Sequence, residues 1–264
     1  MSAAPAELRR AGRRWWVTAF VVLFVAYQLP QLLVRVGVHG GIASSFMLVL
    51  FPLAAWLAWW RGEPFGRTYA LAWRAHWWSW LVGLFILALA AKALAVVLGV
   101  RAGIYASHGP TSAALGPAGW AAVALITFVP SLAEDILTRG LWLHSPLART
   151  GFVFVLGTAA VYTLNHVWRL ALGPAEWAML LGFGIAYGLA VWRTGTLWAA
   201  LGLHWGWNFA GQALDAVWQV DVVDGTGAKL LSAAAHLVLA LVVWVVTRGR
   251  SRSATGLDAG SGPA

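Results

Sequence analysis

Cysteine is absent from the 264-residue chain, and charged side chains are scarce. Disulfides, thiolate metal sites and cysteine nucleophiles are therefore excluded. Only 10% of the residues are charged, whereas soluble domains average about 25%. So few ionised groups cannot cover the surface of a soluble protein of this length. Because 61% of the residues are also apolar, the composition predicts an integral membrane protein surrounded by the lipid bilayer.

Long apolar runs divide the chain into eight predicted membrane-spanning helices, since a helix needs about 20 mostly apolar residues to cross a bilayer. They cover residues 15–36, 44–60, 77–100, 118–143, 151–168, 175–193, 196–215 and 229–247. We therefore expect an all-α protein, a polytopic membrane helical bundle of about eight transmembrane helices. A basic cytoplasmic N-terminus (1–14) precedes a single transmembrane domain (15–247), and a disordered cytoplasmic tail (248–264) follows it.

Basic residues are distributed unevenly among the loops that these spans define. If both termini are cytoplasmic, thirteen arginines lie in cytoplasmic segments, four basic residues lie outside, and Lys92 lies within a span. This asymmetry is what the positive-inside rule expects. It favours cytoplasmic termini, and we expect the membrane to be the bacterial plasma membrane. The arginines are scattered at the ends of apolar runs and form no stripe, so no nucleic-acid partner is predicted.

Two acidic residues stand out among nine, because only Glu134 and Asp135 lie well inside an apolar run. Ionisable groups at that depth cost about 2.5–3.5 kcal/mol each to insert and are usually functional. Asp135 precedes Arg139 by four residues, which places acid and base on one helix face in the favourable order. Glu134 faces another direction and needs a partner from another helix. A carboxylate buried without a local cation suits the role of a general base or acid. A structural polar network that pins two helices explains these residues equally well.

Two further polar pairs have helical spacing within apolar runs. Tyr162 and His166 are four residues apart, and so are His204 and Asn208. An asparagine is costly in lipid unless it forms hydrogen bonds. The second pair therefore indicates a polar site inside the bundle, whereas a lone histidine such as His166 is more often a packing residue.

In this order the motifs resemble those of the CPBP family, the CAAX-protease and bacteriocin-processing (type II CAAX prenyl endopeptidase-like) intramembrane proteases. The family pattern is Glu-Glu-x-x-x-Arg, Phe-x-x-x-His and His-x-x-x-Asn. Residues 118–215 carry it as the motif-bearing core, with an aspartate for the second Glu and a tyrosine for the Phe. The resemblance implies the catalytic residues Glu134, His166, His204 and Asn208, supported by Asp135, Arg139 and Tyr162. Glu134 and His166 would activate a water, and His204 and Asn208 would stabilise the oxyanion.

A zinc ion is an open question, because family members are commonly called metalloproteases. The chain lacks His-Glu-x-x-His, which places two zinc ligands on one helix face. Glu134, His166 and His204 could still supply three ligands and leave a fourth position for water. In the metal-free alternative, Glu134 and His166 polarise the water directly. Both versions meet a difficulty, since the predicted span boundaries place Glu134 and His166 at different depths of the membrane.

We therefore expect an intramembrane endopeptidase that hydrolyses a peptide bond of a membrane-associated protein or peptide. Prenylated CAAX proteins, bacteriocin leaders and other membrane peptides are all open as substrates. The alternative is a non-catalytic membrane scaffold or bacteriocin-immunity-type protein of the same fold, in which the same buried residues are structural. A small-molecule transporter is less favoured, because the sequence shows no inverted repeat.

Overall fold

Helices make up most of the protein (82%) in the computed structural model, which confirms the all-α class. The structure describes residues 6–73, 75–111, 115–145, 148 and 150–249. The predicted tail at 248–264 lies almost entirely outside the described residues, and so do the first five residues of the predicted N-terminal segment. The division into segments stays a prediction.

Ten α-helices and two short strands follow one another along the described part of the chain. They are α1 (Ala6–Arg35), α2 (Gly40–Ser45), α3 (Leu50–Arg61), α4 (Phe65–Thr68), α5 (Trp77–Arg101), β1 (Tyr105–Pro110), α6 (Pro117–Asp135), α7 (Gly151–Asn165), α8 (Pro174–Thr194), α9 (Leu197–Val217), β2 (Trp218–Val222) and α10 (Gly225–Val246). Three 3-10 helices (Phe46–Val49, Leu141–His144 and Val167–Leu172) and one π-helical turn (Ile136–Gly140) connect or extend them.

Six helical segments in the described residues are long and apolar enough to cross a membrane. They are Arg14–Arg35, Gly40–Arg61, Trp77–Arg101, Pro117–Leu143, Pro174–Thr194 and Gly225–Val246. The other two predicted spans correspond to α7 and α9. Helix α7 has only 15 residues, which is about 22 Å of helix, and α9 carries several polar side chains. The count of eight therefore stays a prediction, while the integral membrane class is supported.

A two-stranded antiparallel sheet lies at one end of the bundle, and the sequence analysis did not anticipate it. Tyr105 pairs with Val222 and Pro110 with Trp218, with an irregularity between Ser107 and Gly109. The sheet joins the segment after α5 to the connection between α9 and α10. It therefore ties together elements that are more than 100 residues apart in the sequence.

Helix α9 lies against the backbone of α5 because two glycines leave room for it. A Cβ atom on Gly202 would come within 2.6 Å of the Leu81 carbonyl oxygen, and one on Gly206 within 2.5 Å of the Phe85 carbonyl oxygen. Small residues four apart allow this close approach of two membrane helices. His204 lies midway between the glycines, about 200° around the helix from each. The close packing on one face of α9 thus turns His204 away from α5, towards the bundle interior.

Helix α8 packs in the same way on α7. A Cβ atom on Gly184 would come within 2.6 Å of the Ala159 Cα, and one on Gly188 within 2.7 Å of the Thr158 hydroxyl oxygen. Helix α7 is thus held tightly against its neighbour over its middle turns. The packing fixes the position of its C-terminal end, where His166 lies.

Candidate active site

Glu134 lies at the centre of a buried polar cluster, with only 4% of its surface exposed. Its Oε1 atom is 3.3 Å from His166 Nε2, and its Oε2 atom is 3.4 Å from His204 Nε2. The two histidines come from the C-terminal end of α7 and the middle of α9. The depth difference between Glu134 and His166 that the predicted boundaries implied is therefore wrong, because the two side chains are in contact.

The backbone around Glu134 departs from a regular α-helix on both sides. Pro130 lies within α6, where its missing N–H group leaves the Ile126 carbonyl without a helical partner. The π-helical turn begins at Ile136, immediately after Asp135. Such turns are rare and occur frequently at functional sites. The Thr138 hydroxyl donates to the Glu134 carbonyl oxygen at 2.7 Å, which secures the backbone through this turn.

The predicted contact between Asp135 and Arg139 is present, and both side chains are fully buried. Arg139 Nη1 donates to Asp135 Oδ1 and, at 2.9 Å, to the Thr138 hydroxyl. The guanidinium lies between two aromatic rings, with its Cζ atom 4.6 Å from the Tyr162 centroid and 4.9 Å from that of Tyr187. Its Nε and Nη2 atoms have no hydrogen-bond acceptor among the described residues. The faces of the two tyrosines therefore replace acceptors through cation–π contacts, and this is what Tyr162 does in the site.

Hydrogen bonds at Nδ1 orient both histidines towards Glu134. His166 Nδ1 lies 2.8 Å from the Tyr162 carbonyl oxygen, which can only accept, so Nδ1 carries the proton. His204 Nδ1 lies 3.3 Å from Asp135 Oδ1, an acceptor that is paired with Arg139. Asp135 therefore holds the ring of His204 as well as the guanidinium. In both histidines Nε2 is the nitrogen that remains for chemistry, and it faces Glu134.

Asn208 lies one turn beyond His204 on α9, at the wall of a cavity. Its Nδ2 atom donates to the Ser131 hydroxyl at 3.0 Å. The cavity has a volume of about 820 Å³ and is bounded by α1, α2, the 3-10 turn after α2, α6 and α9. Asn208 and Tyr27 both line the cavity, whereas Glu134, His166 and His204 are not among its lining residues. Three of the four predicted catalytic residues thus meet directly, and the fourth lies one turn from His204 at the cavity.

A comparison with family models identifies this part of the chain. Residues 116–210 match the model of the family described as type II CAAX prenyl endopeptidase Rce1-like. We refer to this matched segment, which covers just over a third of the chain, as the Rce1-like domain. It overlaps the predicted core 118–215 and confirms the predicted family. No curated protein and no solved structure matches the chain. The match supports a CAAX-type protease that acts within the membrane.

Two residues from outside the Rce1-like domain reach the cluster, and the sequence analysis missed both. The Tyr27 hydroxyl interacts with the Glu134 carboxylate. Gln28 Nε2 donates to the carbonyl oxygen and to Oδ1 of Asn165, at 2.7 and 3.0 Å. Asn165 was missed as well, although its Nδ2 donates to Glu134 Oε1 at 3.3 Å. An amide in an apolar helix needs hydrogen bonds, so the argument that singled out Asn208 could have found Gln28 and Asn165.

Tyr187 on α8 and His236 on α10 support the ring of His204. The ring of Tyr187 stacks on His204, with centroids 4.9 Å apart and planes 21° apart. The Tyr187 hydroxyl lies 2.9 Å from His236 Nε2, and His236 Nδ1 lies 2.9 Å from the Ser232 carbonyl oxygen. Because that carbonyl accepts the Nδ1 proton, Nε2 accepts from Tyr187. The ring that covers His204 is therefore held in place by α10.

The predicted zinc ligands Glu134, His166 and His204 lie next to one another. Each Nε2 atom of the two histidines faces a different oxygen of Glu134. Among the described residues, no group of three or more His, Cys, Asp or Glu side chains has an arrangement that could hold a metal ion. The zinc ligand set stays a prediction, and the chemistry below uses protein groups alone.

Proposed function

We propose that the protein is an intramembrane endopeptidase that hydrolyses a peptide bond of a membrane-associated protein or peptide. One observation carries the proposal. Both oxygens of the buried Glu134 carboxylate face the Nε2 atoms of histidines, and each histidine is oriented by an acceptor at Nδ1. A packing role needs no such convergence, whereas water activation requires a base that is held in place.

Glu134 and His166 are the groups that activate the water. A water that bridges Glu134 Oε1 and His166 Nε2 from the side would lose a proton to this pair while its oxygen forms a bond to the carbonyl carbon of the substrate. The tetrahedral intermediate then breaks its C–N bond. The proton passes from the pair to the leaving amine, so the pair returns to its starting state and the products are a carboxylic acid and an amine.

Asn208 is placed to stabilise the oxyanion, and His204 can do so through Nε2 as an imidazolium, because its Nδ1 proton is donated to Asp135. His204 lies on the other side of Glu134 from His166, and Asn208 lies one turn further along α9. One Nδ2 hydrogen of Asn208 is donated to Ser131, and the second remains for a substrate oxygen at the cavity wall. Removing one donor of this kind typically costs about 2.7–4 kcal/mol of transition-state stabilisation.

The cavity at Asn208 is the proposed approach for the substrate. Its lining combines apolar side chains such as Leu48, Leu125 and Ile126 with the polar Gln31 and Gln212. An extended peptide offers both apolar side chains and backbone hydrogen-bonding groups, and this lining can satisfy both. A membrane-associated peptide therefore fits better than a small polar solute. Prenylated proteins, bacteriocin leaders and other membrane peptides remain alternatives within this class.

The decisive experiment compares Glu134→Gln with the parent protein in proteoliposomes that contain a membrane-anchored peptide library. We expect no cleavage by the variant, because the amide cannot take a proton from water, together with an unfolding temperature close to that of the parent. Glu63→Gln is the matched control, since Glu63 pairs with Arg61 at the end of α3, at 3.0 Å. Cleavage by Glu134→Gln would refute the proposal. A parent without activity, combined with a marked loss of stability in Glu134→Gln, would favour the non-catalytic scaffold.

Zinc dependence is a separate prediction. Metal analysis of the purified protein, with cleavage measured before and after chelation, tests it. Full activity of metal-free protein would exclude the zinc version and leave the Glu134–His166 mechanism. Activity that is lost on chelation and restored by zinc would require the side chains to rearrange around the ion.

A further inference from the structure

Glu134 is held by a chain of hydrogen bonds that begins on the first helix, outside the Rce1-like domain. Gln28 Nε2 on α1 donates to Asn165 Oδ1 at 3.0 Å, and Asn165 Nδ2 donates to Glu134 Oε1 at 3.3 Å. We propose that Gln28 is a positioning residue for the reaction and acts on Glu134 through Asn165. The inference rests on the proposed function, since it concerns the carboxylate that activates the water.

The direction of the hydrogen bonds determines which end of the Asn165 amide faces Glu134. Because Gln28 presents an N–H group, Asn165 must turn its oxygen towards Gln28 and its Nδ2 towards Glu134. If the Asn165 amide were reversed, its oxygen would lie against Glu134 Oε1. Its NH₂ group would lie against the NH₂ group of Gln28. Both contacts would then be repulsive, so Gln28 selects the orientation in which Asn165 donates.

The orientation of Gln28 is determined in turn by the backbone. Its Nε2 atom also donates to the Asn165 carbonyl oxygen, at 2.7 Å. Turning the Gln28 amide over would place Oε1 against that carbonyl. The observed orientation leaves Oε1 without a hydrogen-bond partner among the described residues, although Gln28 is only 9% exposed. A buried acceptor without a partner is costly, which indicates that the two bonds from Nε2 outweigh it.

The consequence for the reaction concerns the water. Oε1 is the oxygen that faces His166 Nε2, at 3.3 Å, and it is also the oxygen that Asn165 holds. Asn165 directly precedes His166, so one short segment positions both members of the pair. Losing the bond from Asn165 would let the carboxylate rotate away from His166, while substrate binding at the cavity would not change.

The test uses Gln28→Met, which keeps the length of the side chain and removes both donors. We expect kcat for peptide cleavage to fall about tenfold, as for the loss of one hydrogen bond in the transition state, with KM changed by less than about twofold. Asn165→Leu is expected to show the same fall. In the Asn165→Leu background, Gln28→Met should have almost no further effect on kcat, because the path to Glu134 is already broken.

Trp15→Phe is the matched control for a purely structural role of α1. Trp15 Nε1 donates to the Leu57 carbonyl oxygen at 2.9 Å and ties the same helix to α3, away from Glu134. We expect this variant to lower the unfolding temperature and leave kcat unchanged. If Gln28→Met lowers kcat equally in both backgrounds, or changes only the unfolding temperature as Trp15→Phe does, the inference is overturned. If Gln28→Met does not fold, an unchanged kcat in Asn165→Leu overturns it.

The outcome for Glu134→Gln separates this inference from the proposed function. If that variant still cleaves peptides, the proposed function fails whatever the Gln28 variants show. If it is inactive while Gln28→Met and Asn165→Leu keep the kcat of the parent, only the positioning role fails.

Discussion

Replacing Gly206 with alanine would place a methyl group against the backbone of α5. The added Cβ atom would lie 2.5 Å from the Phe85 carbonyl oxygen, 2.9 Å from the Phe85 Cα and 3.0 Å from the Ala88 Cβ. Ordinary contacts begin at 3.4 Å, so the shortest of these is about 0.9 Å too close. Two of the three atoms belong to the backbone and cannot rotate away. We therefore expect α9 to move away from α5 by a large part of an ångström.

The energetic cost follows from two opposing terms. Overpacking of this kind costs about 1–3 kcal/mol, and alanine gains about 0.5–1 kcal/mol over glycine in a helix. Gly206→Ala should therefore lower the free energy of unfolding by about 0–2.5 kcal/mol. His204 and Asn208 lie on the same helix and move with it. A misplacement of about 1 Å can cost about 100-fold in rate, so the loss of activity should exceed the loss of stability.

Gly211→Ala is the matched control on the same helix. A Cβ atom there would meet only the flexible Lys92 side chain, at 3.9 Å from its Cε atom. We expect this variant to be slightly more stable than the parent and equally active. Thermal unfolding in detergent and cleavage in proteoliposomes measure both quantities. If Gly206→Ala and Gly211→Ala behave alike, close packing against α5 does not position His204, and the reasoning is refuted.

Two further predictions concern buried charges. Arg139→Met should lower the free energy of unfolding by about 3–5 kcal/mol, since it leaves the Asp135 carboxylate buried without its cation. Chemical unfolding measures this loss. The double variant with Asp135→Leu should recover most of it. Glu176, which is fully buried, contacts Arg169 and lies 3.2 Å from Lys229. Because those cations are partly exposed and can be rehydrated, Glu176→Gln should cost only about 1 kcal/mol, and an unchanged unfolding temperature would show that the pairs contribute nothing.

Much of the fold was predictable, because apolar runs and polar interruptions mark helices directly. The sequence could not reveal the π-helical turn after Asp135, which depends on how α6 packs rather than on composition. The two-stranded sheet was also missed, since Tyr105–Pro110 and Trp218–Val222 are short and far apart in the chain. The span boundaries around His166 failed because periodicity does not show where a helix ends. His166 follows the last residue of α7, so a continuous apolar run overstated the length of the helix.

The candidate site was predictable where spacing along one helix decides a contact. The separation of Asp135 and Arg139 indicated their ion pair, and the different direction of Glu134 indicated a partner from elsewhere. Which residues would supply that partner depended on contacts between helices, and only the family resemblance pointed to His166 and His204. Gln28 lies more than 100 positions before Asn165, so no spacing rule connects the two.

The surroundings of Glu134 are drawn from α1, α6, the end of α7 and α9, which has a consequence for how the protein is made. Synthesis proceeds from the N-terminus, so Glu134 enters the membrane well before His204 exists. The carboxylate has its complete set of neighbours only when all but the last helix have been inserted. A protease assembled in this order is inactive during most of its own synthesis, and nascent membrane proteins around it, including its own unfinished copies, are not exposed to a working site.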